Sequence, residues 1–142
     1  MTQTITKELR ASFLAIADVL IPDADGMPAA SQVDVGGEIF DRILSLRQDL
    51  REAFFRGLRA VADKEPSAAV LALNKDDPAA LSAIGLVASA AYYMSPRVRV
   101  LIGYPGQEKR AFDANATPEY VTNGMLDVVV DRGFIFRPTP KS

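Results

Sequence analysis

The feature that most constrains the fold is a stretch of nineteen residues without a charged side chain, from Pro78 to Pro96. Its length alone would permit a membrane span. However, Ala and Ser fill most of it, Leu, Ile and Phe are few, and its basic flank is only Arg97 and Arg99. These features favour a buried central helix over a membrane span, and we expect the chain to have no direct span.

The sequence before this stretch repeats apolar residues at intervals of three and four, as amphipathic helices do. The predicted elements are a helix from Ile5 to Leu20 ended by Pro22, a helix from a Ser31 cap to Arg47, a helix from Leu50 that Pro66 closes, and one or two Ala-rich turns over residues 67–73. The central helix should begin with Asp77 as N-cap and run to Tyr93, with Ser95 and Pro96 stopping it. Within it, Gly85 and Ser89 lie four residues apart, which predicts a groove where a neighbouring helix comes close.

The C-terminal third is predicted as shorter elements. We expect a helical turn over residues 96–102, a loop over 103–106, and a last helix over 118–131 that starts after a Thr117 cap. Val128 to Val130 would suit a strand equally well by propensity. Gly133 should end this element. The sequence therefore predicts an all-α, single-domain bundle of about five to six helices over residues 1–142, with an extended C-terminal tail over 133–142.

The residue types that are missing exclude several classes of chemistry. The sequence contains neither His nor Cys. The usual zinc sites, Ser-His-Asp and Cys-His catalysis, imidazole acid–base chemistry and thiol redox chemistry all need those side chains. The net charge of −2, with basic and acidic residues interleaved, argues against nucleic-acid binding. A chain without these side chains would have to use carboxylates, Lys, Tyr or backbone groups for catalysis, and we assign no metal-binding residue in it.

Short motifs add little chemistry. Asp23, Asp25 and Gly26 resemble part of a calcium loop, but placing Gly26 at the sixth loop position puts Ile21 first and Gln32 last, where carboxylates are required. A solvated turn is the better interpretation. An independent enzyme would have only Asp23 with Asp25, or Tyr92 with Tyr93, as visible candidates.

Aromatic and turn residues cluster over residues 92–106, which fits either core packing or a protein interface. Tyr and Met are enriched at interfaces, and a rigid Pro-Gly loop can insert with little loss of entropy. The C-terminal run of Phe134, Ile135 and Phe136 cannot point all its side chains into one core. The candidate interface residues are Met27, Tyr92, Tyr93, Tyr104, Pro105, Gly106, Phe134, Phe136 and Arg137.

Five segments in order carry a resemblance to a known family. They are IADVLIP at 16–22, GMPAAS at 26–31, IFDRIL at 39–44, AYYMSPRV at 91–98 and LIGYPG at 101–106. Together they resemble the gluconate 2-dehydrogenase subunit 3 family, and the tail from Phe136 is similar in character to that family's C-terminus.

The resemblance implies a small helical subunit that has no cofactor of its own and is not an enzyme by itself. Its partner would be a large flavoprotein of the glucose–methanol–choline type that carries FAD, joined in some assemblies by a cytochrome c subunit. The small subunit would stabilise the large one, or assist its folding or export. A stand-alone helical protein-binding or regulatory module is the alternative.

Many members of that family carry a twin-arginine export signal, whereas this sequence begins almost directly at the first predicted helix. We therefore expect a cytoplasmic protein with no signal peptide. Export to the periplasm together with a partner, or a leader missing from this sequence, are the alternatives.

Overall fold

The structure is a computed structural model that describes residues 5–109 and 113–135. Within these ranges it is all-α, with eight α-helices and no strand. The helices are α1 Lys7–Leu20, α2 Glu38–Leu46, α3 Gln48–Ala60, α4 Pro66–Asp76, α5 Pro78–Met94, α6 Pro96–Leu101, α7 Glu119–Thr122 and α8 Asp127–Arg132, with a 3₁₀ turn at Ala30–Val33. The all-α prediction is confirmed.

The chain divides into two compact units, Met1–Gln107 and Glu108–Ser142. We refer to them as the first and the second unit. The packed core belongs to the first unit, and no described residue of the second unit is buried. The single domain over residues 1–142 stays a prediction.

The core of the first unit is built around three phenylalanines from three helices. Phe13 of α1, Phe40 of α2 and Phe54 of α3 are buried, and their ring centroids lie 4.7 to 5.7 Å apart. Tilted rings at such separations add a favourable aromatic interaction to the burial of apolar area. The uncharged helix α5 packs against α1 to α4 and buries Ile84 and Val87, so the prediction of a buried central helix is confirmed.

Two helices approach each other closely at Gly57 and not at Gly85. A Cβ atom added to Gly57 of α3 would lie 2.8 Å from the Cβ of Ala80 in α5, whereas one added to Gly85 meets nothing within 4 Å. Ser89 is exposed. The predicted groove at Gly85 and Ser89 is therefore wrong, because that side of α5 faces away from the bundle.

The second helix begins at Glu38, later than the Ser31 cap would place it. Asp34 adopts a left-handed φ of 57°, which a right-handed helix cannot continue through. Ser31 instead lies in the 3₁₀ turn, and its backbone N–H donates to the Asp18 carboxylate at 2.8 Å. A Cβ at Gly37 would meet the Asp34 carboxylate, so a larger residue there would require that exposed side chain to move.

Pro66 starts a helix and does not close one. Glu65 caps α4 by accepting a hydrogen bond from the Ala68 N–H at 3.0 Å, and Pro66 occupies the first turn, where its missing N–H costs nothing. Backbone N–H groups, that of Ser67 first, lower the pKa of the Glu65 carboxyl. The Ala-rich segment is thus a helix of 11 residues, longer than the one or two turns predicted.

The central helix starts as predicted. The Asp77 carboxylate accepts from the Ala80 N–H at 3.1 Å, and Pro78 opens α5. Arg56 of α3 donates to the same carboxylate at 2.7 and 3.2 Å. This hydrogen-bonded ion pair, with the Ala80 N–H as a smaller contribution, holds the pKa of Asp77 below its ordinary value.

The described part of the second unit contains two short helices where one helix over residues 118–131 was predicted. Gly124 has a φ of 82° and lies between α7 and α8, so it interrupts the helix. No side chain caps α7, whose N-cap is Pro118, so the predicted Thr117 cap is not formed. Val128 to Val130 are helical, and Gly133 ends α8 with a φ of 67°, as predicted. Residues 133–135 have no regular secondary structure, and the remainder of the predicted tail, residues 136–142, lies outside the described residues.

No helix in the described part of the chain is long and apolar enough to cross a membrane.

Candidate interaction surface

The C-terminal end of α5 and the following helix α6 present apolar side chains to solvent. Ser95 and Pro96 separate the two helices, and the side chains on either side of this junction are large and exposed. The exposed residues are Tyr93, Met94, Val100, Leu101, Ile102 and Tyr104. Contiguous exposed apolar surface of this kind is typical of an interaction site.

Tyr92 and Tyr93, adjacent in sequence, lie in different environments. The Tyr92 side chain is 3% exposed, and its hydroxyl donates to the Pro28 carbonyl oxygen at 2.8 Å. Burial raises its pKa above the ordinary tyrosine value. Tyr93 is 59% exposed and meets the Tyr92 ring edge-on at 5.4 Å. Tyr92 is thus a core residue, and we no longer include it among the candidate interface residues. Tyr93 remains a predicted interface residue.

The loop at Tyr104 is held against α6. The Arg99 guanidinium carbon lies 5.1 Å from the centre of the Tyr104 ring, and the Tyr104 N–H donates to the Arg99 carbonyl oxygen at 2.8 Å. Gly103 and Gly106 have left-handed φ values of 66° and 87°, which side chains rarely adopt. A Cβ at Gly106 would also collide with the Arg99 guanidinium. Tyr104, Pro105 and Gly106 therefore form a fixed, largely exposed turn.

Beside this turn lies a groove that we call the arginine groove. It has a volume of about 470 Å³ and is lined by Glu38, Ile39, Arg42, Met94, Pro96 and Arg99. One wall comes from α2 and the other from the α5–α6 junction. Sequence reasoning did not identify Arg42 and Arg99 as groove residues, because their side chains come together only through the packing of α2 and α6 against α5.

Met27, another predicted interface residue, follows the turn at Asp25 and Gly26. Asp25 and Gly26 have φ values of 51° and 80°, and Ala24 and Met27 exchange backbone hydrogen bonds of 2.8 and 3.1 Å across them. Positive φ at both central residues is the geometry of a type I′ turn, for which Asp-Gly is a preferred sequence. The predicted turn is confirmed. Met27 is half-buried and packs against the core, so only part of its side chain can meet a partner.

The second unit also exposes large apolar side chains, among them Phe134, which is the most exposed large hydrophobic residue in the described part of the chain. Phe134 is 92% exposed, and Ile135 and the three valines of α8 are exposed as well. A hollow of about 440 Å³ lies among Val129, Val130, Gly133 and Phe134. Two of the predicted interface residues, Phe136 and Arg137, lie outside the described residues.

The described residues of the two units form no cluster of side chains with evident chemistry. Among the described residues, no group of three carboxylates converges in a way that could hold a metal ion. No protein-family model matches the chain, and no curated protein or solved structure shows significant similarity to it. The properties of the two exposed surfaces are therefore the basis for a functional proposal.

Proposed function

We propose that this chain is the accessory small subunit of an FAD-dependent sugar or alcohol dehydrogenase. In this role it is not catalytic. It binds a large flavoprotein of the glucose–methanol–choline type and stabilises it, or assists its folding or export. The resemblance of five ordered segments to the gluconate 2-dehydrogenase subunit 3 family is the source of this proposal.

The observation that carries it is the exposure of the second unit. Its described residues include Val128, Val129, Val130, Phe134 and Ile135, all with large apolar side chains in water. Exposing so much apolar surface is unfavourable by about 25 cal/mol for each Å², so a partner that covers it gains affinity. A subunit that is completed by a larger protein has this property.

The composition supports the division of labour. Flavin-dependent alcohol oxidation needs a base and a cradle for the cofactor, and a chain without His or Cys lacks the commonest general base. We therefore assign the FAD and the oxidation chemistry to the large subunit. The small subunit contributes binding surface: Tyr93 and the turn of Tyr104, Pro105 and Gly106 in the first unit, and α8 with Phe134 in the second.

The test is a pull-down of the tagged full chain from its native host, followed by an absorption spectrum of the eluate. We expect a yellow complex that contains a much larger flavoprotein and oxidises a sugar or alcohol with an artificial dye as acceptor. A haem band in the same spectrum would identify a cytochrome c subunit. Fractionation of the host cells would place the complex in the cytoplasm or the periplasm.

A matched pair of variants makes the test specific for the second unit. Val128 of α8 and Leu71 of α4 are 70% and 71% exposed. Val128→Asp should reduce the flavin recovered per tagged chain, whereas Leu71→Asp should not. If the wild-type chain elutes alone and colourless, the proposal fails and a stand-alone binding module becomes the better hypothesis.

A further inference from the structure

The arginine groove holds two positive charges that have no acidic partner among the described residues. The described residues place no carboxylate within 4.0 Å of the guanidinium nitrogens of Arg42 or Arg99. Arg99 is held in place by its stacking on Tyr104. Among the described residues that line the groove, Glu38 is the one acid, and Ile39 and Met94 supply apolar side chains. Such a site suits a segment with two acids around an apolar side chain.

Helix α8 has this arrangement. Asp127 and Asp131 are four residues apart, and Val130 lies between them on the same face of the helix, because positions i, i+3 and i+4 are neighbours on a helix surface. Arg132 follows at the end of the helix. All four side chains are exposed, and none forms an ion pair with another described residue.

The net charges of the two surfaces are equal in size and opposite in sign. The groove has two arginines and one glutamate, while α8 has two aspartates and one arginine. Val130 supplies the apolar side chain that would face Ile39 and Met94. Potentials that are complementary in this way favour association and determine its orientation.

We propose that α8 of one copy of this chain binds in the arginine groove of a second copy, and that two such contacts form a symmetric homodimer. This inference does not rest on the proposed flavoprotein partner. Because each contact involves about one helical turn, the interface is small and the dimer weak, with a dissociation constant on the order of 10 to 100 µM.

The first part of the test measures the mass of the full chain by sedimentation velocity, at concentrations from about 5 to 500 µM. We expect wild type to shift from monomer to dimer over this range. Arg42→Glu combined with Arg99→Glu should raise the dissociation constant at least about tenfold, because like charges would then face each other. The neutral pair Arg42→Gln with Arg99→Gln should weaken the dimer less.

The matched control is Arg59→Glu combined with Lys64→Glu. It changes the net charge by the same amount at two exposed residues outside the groove, so the dimer should persist. Circular dichroism of every variant checks that the helices are intact.

The decisive part is a charge exchange between copies. Asp127→Arg with Asp131→Arg should also give a monomer. Mixed in equal amounts with the Arg42→Glu, Arg99→Glu variant, it should form a heterodimer, because both contacts of the mixed pair then join opposite charges.

Three results would overturn the proposal: a wild type that stays monomeric at about 500 µM, a dimer that is unchanged by the groove variants, or a mixture that remains monomeric.

Discussion

The two units contain similar kinds of apolar residues but use them differently. In the first unit, five helices of nine or more residues bury a continuous core of phenylalanine, leucine, isoleucine, valine and alanine side chains. In the second unit, α7 and α8 together contain only ten residues, from Glu119–Thr122 and Asp127–Arg132, and no described residue is buried. Apolar content alone does not make a core.

Helix length explains the difference. A helix of several turns repeats its apolar side chains along one face and can bury that face against another helix. One of four to six residues has about one turn, and isolated helices shorter than about 12 residues are marginal in water. The first unit is thus stable through its own packing, whereas the second is expected to gain stability from another surface.

The largest expected effect is from removing a core ring. Phe54→Ala should reduce the free energy of unfolding by about 3 to 5 kcal/mol, because it leaves a cavity between Phe13 and Phe40. Phe134→Ala, at a side chain that is 92% exposed, should change it by less than about 0.5 kcal/mol. Urea denaturation of both variants measures the difference. Equal losses would show that the second unit has a core like the first.

A pair of glycines tests how closely the first unit is packed. Gly57→Ala should destabilise by about 1 to 2 kcal/mol, because the new methyl pushes α3 away from Ala80 of α5 and this outweighs the gain in helix propensity. Gly85→Ala should stabilise by up to about 1 kcal/mol, since nothing obstructs it. Thermal denaturation of both variants shows whether each substitution raises or lowers stability. A Gly57→Ala variant more stable than wild type would contradict the close approach of α3 and α5.

The neighbouring tyrosines test the boundary between core and surface. Tyr92→Phe removes the hydrogen bond to the Pro28 carbonyl and should cost about 1 kcal/mol. The same change at the exposed Tyr93 should have almost no effect. Chemical denaturation of the two single variants compares them, and an equal response would place both rings in one environment.

The smallest effect is expected at the ion pair between Arg56 and Asp77, and it depends on pH. Because the folded-state pKa of Asp77 is lowered, its contribution to stability is complete above the ordinary aspartate pKa of about 4 and disappears as the pH falls through the folded-state value. Asp77→Asn should therefore lower the urea midpoint at pH 7, and the difference from wild type should vanish in acid. Adding Arg56→Gln to Asp77→Asn should lower the midpoint little further, because either substitution alone removes the same ion pair. A constant difference at every pH would assign the loss to the cap alone.

Much of the first unit could be predicted from the sequence, because its helices are long enough to show periodicity and α5 is marked by Asp77 and two prolines. The helix boundaries near Ser31 and Pro66 could not be predicted. A capping sequence such as that at Ser31 also occurs in turns, and a proline can either end one helix or start the next. The arginine groove was invisible to sequence reasoning, because Arg42 and Arg99 are 57 positions apart. Tyr93 is exposed beside the buried Tyr92 because the two residues lie on different faces of α5. Ala88 and Ser89, four residues earlier on the same two faces, could have indicated this.

The most direct test of the account is hydrogen exchange of the full chain, measured in dilute isolated form and in the complex recovered from its host. We expect the amides of α5 to be protected in both samples, and those of α8 to exchange rapidly in the isolated chain and slowly in the complex. Equal protection of α8 in both samples, or a chain that recovers no partner, would contradict the claim that the second unit is completed by another protein.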